Sequence, residues 1–329
     1  MNKLVIFLVI FLCINTSIQA QSNAWTRQRY NLYGGIGAIN FLGDLGGGRG
    51  EAHWFKDLNF STTRPMLVAG GRYKILEPVA VGAGLAFGWY SGNDAFSKNE
   101  FRRERNLHFR SPLLEFSVYG EYHIIKEKFG KRTSQPKRRN SAFSWQAIQA
   151  LPINLYVFGG AAGFWFNPKA QYIDGKWYAL QPLGTEGQNF LPTKKRYKRL
   201  QMSFPFGLGV RYSLDRRFSI GLEYGVRYTT TDYMDDASGN YVHWSLFDDP
   251  IARYFADPNK TFTREYNAFI EAGGDPLDFP YLDSNGRDRN IKIGTNNRRG
   301  GVLNNDYYMF TVVTLSYKMR TGPNGLPKF

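Results

Sequence analysis

Three carboxylates lie close together in the stretch TTTDYMDDASGNYV, residues 229–242, at Asp232, Asp235 and Asp236. Such carboxylates could form an acid/base pair or hold a cation. Calcium-binding loops, however, place their oxygen ligands at alternate positions with a glycine and a distant glutamate, and this stretch lacks that spacing. We favour a turn in which the polar side chains bond their own backbone. The three aspartates remain the candidates for a metal site.

Four histidines could serve a hydrolase or an acyltransferase: His53, His108, His123 and His243. None stands in a pattern that pairs it with a serine and a carboxylate, although such partners can be distant in sequence. The chain has one cysteine, Cys13, near its start, so the rest of it offers no thiol for catalysis, metal binding or a disulfide. We predict a protein that is not an enzyme and that uses no cofactor.

Two runs of basic residues stand out, KEKFGKRTSQPKRR at 126–139 and KKRYKR at 194–199. Runs of this kind are usually solvated loops. The first run is nevertheless the best candidate for a surface on which another protein docks. The candidate docking residues are Lys131, Arg132, Lys137, Arg138 and Arg139.

Residues 1–20 have the pattern of a secretory signal peptide: Lys3, an apolar run from Leu4 to Ile14, and a small residue at Ala20. Export would leave 21–329 as the mature chain. The formal charge of +15 falls to +14 when Lys3 is removed. Because an exported chain rarely meets nucleic acid, we expect its counter-charge to be an acidic protein or anionic lipopolysaccharide.

Apolar residues alternate with small or charged ones over unusually long stretches. In FSIGLEYGVRYT, which starts at Phe218, aromatic and aliphatic side chains occupy every second position. Strands of soluble proteins are usually about 5 to 6 residues long, whereas about 9 to 11 residues cross a bilayer at a tilt. We therefore predict that the apolar faces contact lipid and that the other faces point into a barrel.

Eight segments fit this description, and an even number is what a bacterial single-chain barrel requires. They are Tyr30–Phe41, Met66–Ile75, Val79–Tyr90, Pro112–Ile124, Ile153–Phe166, Gln201–Leu214, Phe218–Thr230 and Tyr308–Met319. The sequence predicts an all-β fold, an eight-stranded antiparallel transmembrane outer-membrane β-barrel with long external loops, as a single domain over 21–329.

The connections between these segments alternate in length, except that 125–152 is long although it should be periplasmic. Residues 76–78 and 215–217 are short turns, whereas 42–65, 91–111, 167–200 and 231–307 are long. Short turns lie on the periplasmic side of such barrels, so we expect both termini to be periplasmic. The long external loop 231–307 has room for a subdomain, although its Gly, Asn, Asp and Pro content favours irregular structure.

Charged side chains are expected inside the barrel. The inward positions are Arg72, Lys74, Glu115, Glu121, His123, Arg211, Glu223 and Arg227. The interior of an eight-stranded barrel is only just wide enough for side chains, so these residues should pair and plug it. The alternative is a proton relay or an ion path.

Three segments resemble a known family: FLGDLGG at 41–47, FWFNPKAQYIDGKWYALQPLGTEGQ at 164–188 and TDYMDDASGNYV at 231–242. They are similar to the PorG-like outer-membrane β-barrel family of the type IX secretion system in Bacteroidota. The resemblance covers about residues 30 to 245 and resumes at the final strand.

This resemblance implies a barrel that docks the periplasmic ring of PorK and PorN to the outer membrane and that is required for type IX protein secretion. It implies no enzymatic activity. The alternative is a stand-alone surface barrel with a ligand-binding or envelope-structural role. A lipid- or peptide-modifying barrel enzyme, acting through His53, His108 or His243, is the third hypothesis.

Overall fold

A computed structural model describes residues 23–43, 45, 62–97, 99–126, 152–242, 246–275, 278, 299–301, 305–322 and 324–328. Its long strands are β1 (Tyr30–Leu42), β2 (Arg64–Lys74), β3 (Val79–Asn93), β4 (His108–Ile125), β5 (Ile153–Phe166), β8 (Leu200–Ser213), β9 (Phe218–Thr229) and β10 (Tyr307–Thr321). The short strands are β6 (Lys169–Gln171), β7 (Trp177–Ala179) and β11 (Pro327–Lys328). The helices are α1 (Glu100–Arg105), α2 (Leu180–Leu183), α3 (Pro250–Ala256) and α4 (Lys260–Glu271), with 3-10 turns at Asn23–Arg27 and Asp94–Phe96.

The eight long strands form a closed antiparallel barrel. Each pairs with the long strand before it and the one after it, and β1 closes the ring by pairing with β10 from Tyr30 opposite Met319 to Leu42 opposite Tyr307. The predicted fold is confirmed. Strand β5 has the predicted bounds, whereas β4 begins at His108, four residues before the predicted Pro112, because it extends beyond the apolar alternation.

The outer wall is an apolar band between two rings of aromatic residues. Leu85, Phe116, Leu208, Leu222 and Leu315 are among the large apolar side chains that point outward and are exposed. At one edge of the band lie Trp89, Trp165, Tyr228 and Tyr307, and at the other Tyr73, Tyr122, Tyr212 and Tyr317. An apolar band flanked by aromatic girdles is the surface that a barrel presents to a bilayer.

Glycines in the wall make room for large side chains inside. A Cβ atom added to Gly70 or to Gly84 would come within 2.4 Å of the Tyr33 hydroxyl. The Tyr33 side chain therefore uses space that only glycine leaves open. The glycines of β2 and β3 therefore allow the barrel interior to pack around Tyr33.

The two ends of the barrel differ. The short-turn end carries the turns at 75–78 and 214–217 and the described ends of the chain. In the second of these turns, Asp215 Oδ1 accepts hydrogen bonds from the backbone N–H groups of Arg217 and Phe218, both at 2.6 Å. At the other end the long connections fold into a cap, made of α1 to α4, β6, β7 and the segment 230–242. No helix among the described residues is long and apolar enough to span a membrane.

The cap has a packed core that continues into the barrel. Phe164, Tyr308 and Phe310 fill the cap side of the lumen, and they belong to the same buried cluster as Met234 and Phe255 of the cap. The expectation that 231–307 is irregular was therefore wrong for α3 and α4, whereas the described residues 231–242 form turns and bends. Burial of apolar side chains in this cluster stabilises α3 and α4, which local composition did not indicate.

Candidate functional site

An ion network fills the short-turn half of the lumen. Arg72 Nε lies 2.7 Å from Glu121 Oε1, and the Arg72 guanidinium also bonds Glu223 from the far side of the lumen. Arg211 Nη2 lies 2.6 Å from the same Glu121 oxygen. All four side chains come from different strands, so the network ties the wall together across its interior. The predicted pairing of inward charges is confirmed.

A second layer lies nearer the cap. Tyr308 donates its hydroxyl to Glu115 Oε2 at 2.5 Å, and Arg227 Nε lies 3.7 Å from that oxygen. The Arg227 guanidinium stands over the Phe310 ring at 3.8 Å. This layer joins the charged half of the lumen to its aromatic half.

The space left between the two layers is small. A cavity of about 40 Å³ is lined by polar side chains of both layers, including Tyr33, Tyr119, Glu115, Glu223 and Arg227. This volume is enough for a few water molecules. With the aromatic side chains above it, side chains fill much of the described lumen.

In the cap, two segments that are about fifty residues apart in sequence meet around a buried carboxylate. Asp236 is fully buried; its Oδ2 accepts a hydrogen bond from the Thr185 hydroxyl at 2.5 Å and its Oδ1 one from the Tyr197 hydroxyl at 2.7 Å. Its φ of +66° lies in the left-handed region, which Asp tolerates better than most residues. These contacts order the sharp turn of DYMDDASGN.

Glu186 stabilises the same turn by accepting hydrogen bonds from its backbone. It is fully buried, and its Oε1 accepts hydrogen bonds from the backbone N–H groups of Ser238 at 3.0 Å and Gly239 at 3.1 Å. The Tyr233 hydroxyl donates to its Oε2 at 3.3 Å. The segment PLGTEGQ therefore binds the backbone of TDYMDDASGNY through one carboxylate.

Arg299 completes this network, which we term the cap lock: Thr185, Glu186, Tyr197, Asp236 and Arg299. Its guanidinium is buried, lies 3.4 Å from Glu186 Oε1 and 3.5 Å from Asp236 Oδ2, and donates to the backbone carbonyl of Asp236. The sequence analysis missed Arg299, because a lone arginine in a long loop has no periodic context that would indicate a buried ion pair.

Burial and ionic attraction act against each other in the lock. Burial raises the pKa of Asp236 to about 6, although Arg299 and the two hydroxyl donors act to lower it. Burial also lowers the pKa of Arg299, but the attraction of Asp236 and Glu186 outweighs it, so that the pKa is raised above its ordinary value. The pKa of Tyr233 rises to about 12 through burial and the neighbouring Glu186.

A further buried ion pair holds α1 to the lock. Arg105 makes a two-pronged contact with Asp94, with Nε–Oδ2 at 2.6 Å and Nη2–Oδ1 at 2.8 Å. Its third nitrogen, Nη1, donates to the backbone carbonyl of Arg299 at 2.6 Å. The connection between β3 and β4 is thus tied to the loop before β10.

The three candidate aspartates lie in one turn but do different things. Asp236 belongs to the cap lock, and Asp235 Oδ1 accepts a hydrogen bond from the backbone N–H of Ala237 at 3.0 Å. Asp232 is half-buried. In the part of the chain that the structure describes, no group of three or more His, Cys, Asp or Glu side chains could hold a metal ion. The contacts are those of an ordered turn, which is the interpretation that the sequence favoured.

The two histidines that the structure describes, His108 and His123, lie in different surroundings. His108 Nε2 accepts a hydrogen bond from the backbone N–H of Gln171 at 3.2 Å, and the ring contacts Trp177 edge-on. His123 lies in the lumen beside Glu121. His53 and His243 lie outside the described residues, as do Lys131, Arg132, Lys137, Arg138, Arg139 and the signal segment 1–20.

Comparisons with known proteins gave similarities of structure alone. No family model matches the sequence, and no curated protein matches it. Among solved structures, the chain is similar to the N-terminal β-barrel domain of Pseudomonas aeruginosa OprF, at 9% identity and a TM-score of 0.31, over 88% of this chain and 98% of that one. It is similar to Neisserial surface protein A at 8% identity and a TM-score of 0.33, over 88% of this chain and 96% of that one. It is also similar to the outer membrane protein OprG from Pseudomonas aeruginosa at 9% identity and a TM-score of 0.33, over 88% of this chain and 95% of that one.

The fold is an outer-membrane β-barrel. Its own geometry carries this conclusion, through the closed ring of eight strands, the lipid-facing band and the two girdles, since the similarities above are too distant to argue from.

Proposed function

We propose that this barrel is a non-enzymatic component of the type IX protein secretion system, which docks a periplasmic ring of PorK- and PorN-like proteins to the outer membrane. One observation carries the proposal. Two of the three segments that resemble the PorG-like family, 164–188 and 231–242, meet in the cap lock through Glu186 and Asp236. The resembling residues therefore specify one structural unit and are not scattered over the surface.

The closed lumen supports a docking role over a conducting one. The ion network and the aromatic side chains leave a cavity of about 40 Å³ between them. A barrel filled in this way does not provide a path for a secreted protein. Its contribution to secretion must then lie in its surfaces and in its anchorage in the membrane.

The short-turn end is the proposed docking face. The connection 127–151 joins β4 to β5 at this end, because Ile125 and Ile153 lie beside the turns at 75–78 and 214–217. In the orientation usual for bacterial barrels this end faces the periplasm. The basic residues from Lys131 to Arg139 would then meet an acidic surface of the ring.

The proposal is tested by cross-linking and pull-down of the tagged protein from envelopes, with secretion measured in a deletion strain. The test variant replaces Lys131, Arg132, Lys137, Arg138 and Arg139 by glutamine. We expect ring subunits to be recovered with the unaltered protein and in smaller amounts with this variant. The deletion strain should fail to secrete proteins that carry a type IX signal.

A matched control removes five cationic groups from the cap: Arg103, Lys176, Lys195, Arg196 and Lys198. It carries the same change in charge and should recover the ring normally. Equal losses in both variants would show that net charge alone matters. No ring subunits with the unaltered protein, together with normal secretion by the deletion strain, would refute the proposal and favour a stand-alone surface barrel.

A further inference from the structure

Two cations stand directly opposite each other on the outside of the cap. Arg110, near the start of β4, is the cross-strand partner of Lys169 on β6. Like charges in this arrangement destabilise a sheet. Among the described residues, no carboxylate forms an ion pair with either side chain. An anion between them would remove the repulsion.

The guanidinium of Arg110 is held in one orientation. It lies over the ring of Trp177 at 3.6 Å from the centroid, and Trp177 is fixed by the pairing of β6 with β7. Stacking occupies one face of the guanidinium and leaves its N–H edges available. Those edges match the geometry of a phosphate, which Arg binds with two parallel hydrogen bonds.

The pair lies at the depth of the lipid head groups. Trp89, in the girdle, is the cross-strand partner of Pro112, and Arg110 lies two residues further along β4. Two residues of strand correspond to about 7 Å, or about 5 Å along the membrane normal at a tilt of about 45°. The polar region of a bilayer extends about 5 to 8 Å beyond the hydrocarbon core.

Below the two cations the wall is suited to acyl chains. Leu114, Trp165 and Leu200 are cross-strand neighbours on β4, β5 and β8, and all three are exposed on the outer face. Lys198, in the basic run 194–199, is also exposed.

We propose that Arg110 and Lys169 bind the phosphate of a membrane lipid in the leaflet on the cap side, with its acyl chains on the wall below. The site uses charge, a stacked guanidinium and an adjoining apolar surface, and it recognises the phosphate of an anionic lipid.

The test is a lipid titration of the folded full chain by native mass spectrometry. The probe is dimyristoyl phosphatidic acid, and the controls are phosphatidylcholine with the same chains and inorganic phosphate as a soluble source. The variant R110Q/K169Q is compared with R216Q/R217Q, which removes two exposed cations at the short-turn end. Each cation near a membrane surface contributes about a fivefold change in affinity, so the first variant should bind phosphatidic acid about 30-fold more weakly. The second should bind it normally.

The outcomes separate the possibilities. Equal affinity of the unaltered protein for the two lipids would overturn the proposal, and so would equal losses in both variants. Full competition by inorganic phosphate would show a site for the free anion and overturn its assignment to a lipid. If R110Q/K169Q does not fold, K169Q alone should bind about fivefold more weakly, and R110K, which keeps the charge but not the planar edge, should lose part of the preference.

Discussion

Replacing Arg299 by methionine would remove the cation that contacts both buried carboxylates of the cap lock, while Lys194 Nζ would stay 3.9 Å from Glu186 Oε2. Arg299 lies 3.4 Å from Glu186 Oε1 and 3.5 Å from Asp236 Oδ2, and both carboxylates are fully buried. Methionine fills much of the same space without the charge. The hydroxyl and backbone donors to both carboxylates stay in place, so the variant isolates the loss of the guanidinium.

The expected effect is large and local. Removal of one partner from a buried ion pair costs about 3 to 5 kcal/mol, because the other charge is left without compensation. This corresponds to an increase of about 150-fold to several thousandfold in the opening of the cap. The barrel strands do not depend on Arg299, so their own opening should not change.

Hydrogen exchange followed by mass spectrometry measures this directly. Peptides covering 233–242 should exchange faster by that factor, while peptides from β3 and β9 exchange as before. The matched control is R103Q, which removes an exposed arginine whose contact with Glu100 spans 3.5 Å. A pair of this kind contributes about 0.5 kcal/mol or less.

Unchanged exchange in 233–242 would refute the argument that the lock holds the cap closed. A finer test is the cycle with D236N. Because the amide carries no charge, D236N/R299M should be less destabilised than the sum of the single variants. If the two effects simply add, the pair is not coupled and the contact in the structure is incidental.

Three further predictions concern pH, the lumen and the wall. The pKa of Asp236 in the closed cap, about 6, exceeds the ordinary value of 3.8, so the closed cap binds the proton more tightly than the open cap does. The protection of 233–242 against hydrogen exchange should therefore increase as the pH falls from about 7 to about 5. A decrease in this protection would contradict the prediction. R72M should destabilise the barrel by about 3 to 5 kcal/mol, because it removes one partner of a buried ion pair. On a gel of unboiled samples, where the folded barrel migrates faster than the unfolded chain, the folded band of R72M should disappear at a lower temperature. K126Q, which removes a partner of an exposed ion pair, should leave that temperature unchanged. Leu315→Arg, at the middle of the lipid face, should cost about 2 to 4 kcal/mol in refolding into lipid, and Leu326→Arg, beyond the strands, should cost little.

The barrel could be predicted from the sequence because its wall is repetitive. A strand that faces lipid outside and packed side chains inside must alternate along its whole length, as Phe218–Thr229 does. The inward charges could be predicted for the same reason, since alternation assigns Arg72, Glu121 and Arg211 to one face. Which carboxylate each arginine meets could not be predicted, because that depends on the register and tilt of strands that are distant in sequence.

The cap could not be predicted, because its stability comes from contacts between connections. Asp236 was recognised as a turn residue, since Asp, Ser and Gly together indicate a bend, and as a candidate for a metal site. Its partners Thr185 and Tyr197 come from the connection 167–200, and Arg299 comes from the far end of its own connection. No periodicity relates them. Helix α4 has neither a Pro nor an acidic residue in its first turn to mark its start, and helices of this length depend on tertiary packing.

Lumen and cap together restrict what the molecule can do. The ion network closes the short-turn half of the barrel, and the aromatic side chains with the cap lock close the other half. Because the two closures use different residues, movement of one loop would open the cap and still leave Arg72, Glu121 and Glu223 in place below it. A path through this barrel would require both networks to break, each at a cost of several kcal/mol. The surfaces that remain available for function are therefore the short-turn rim, the outer face of the cap and the lipid-facing wall.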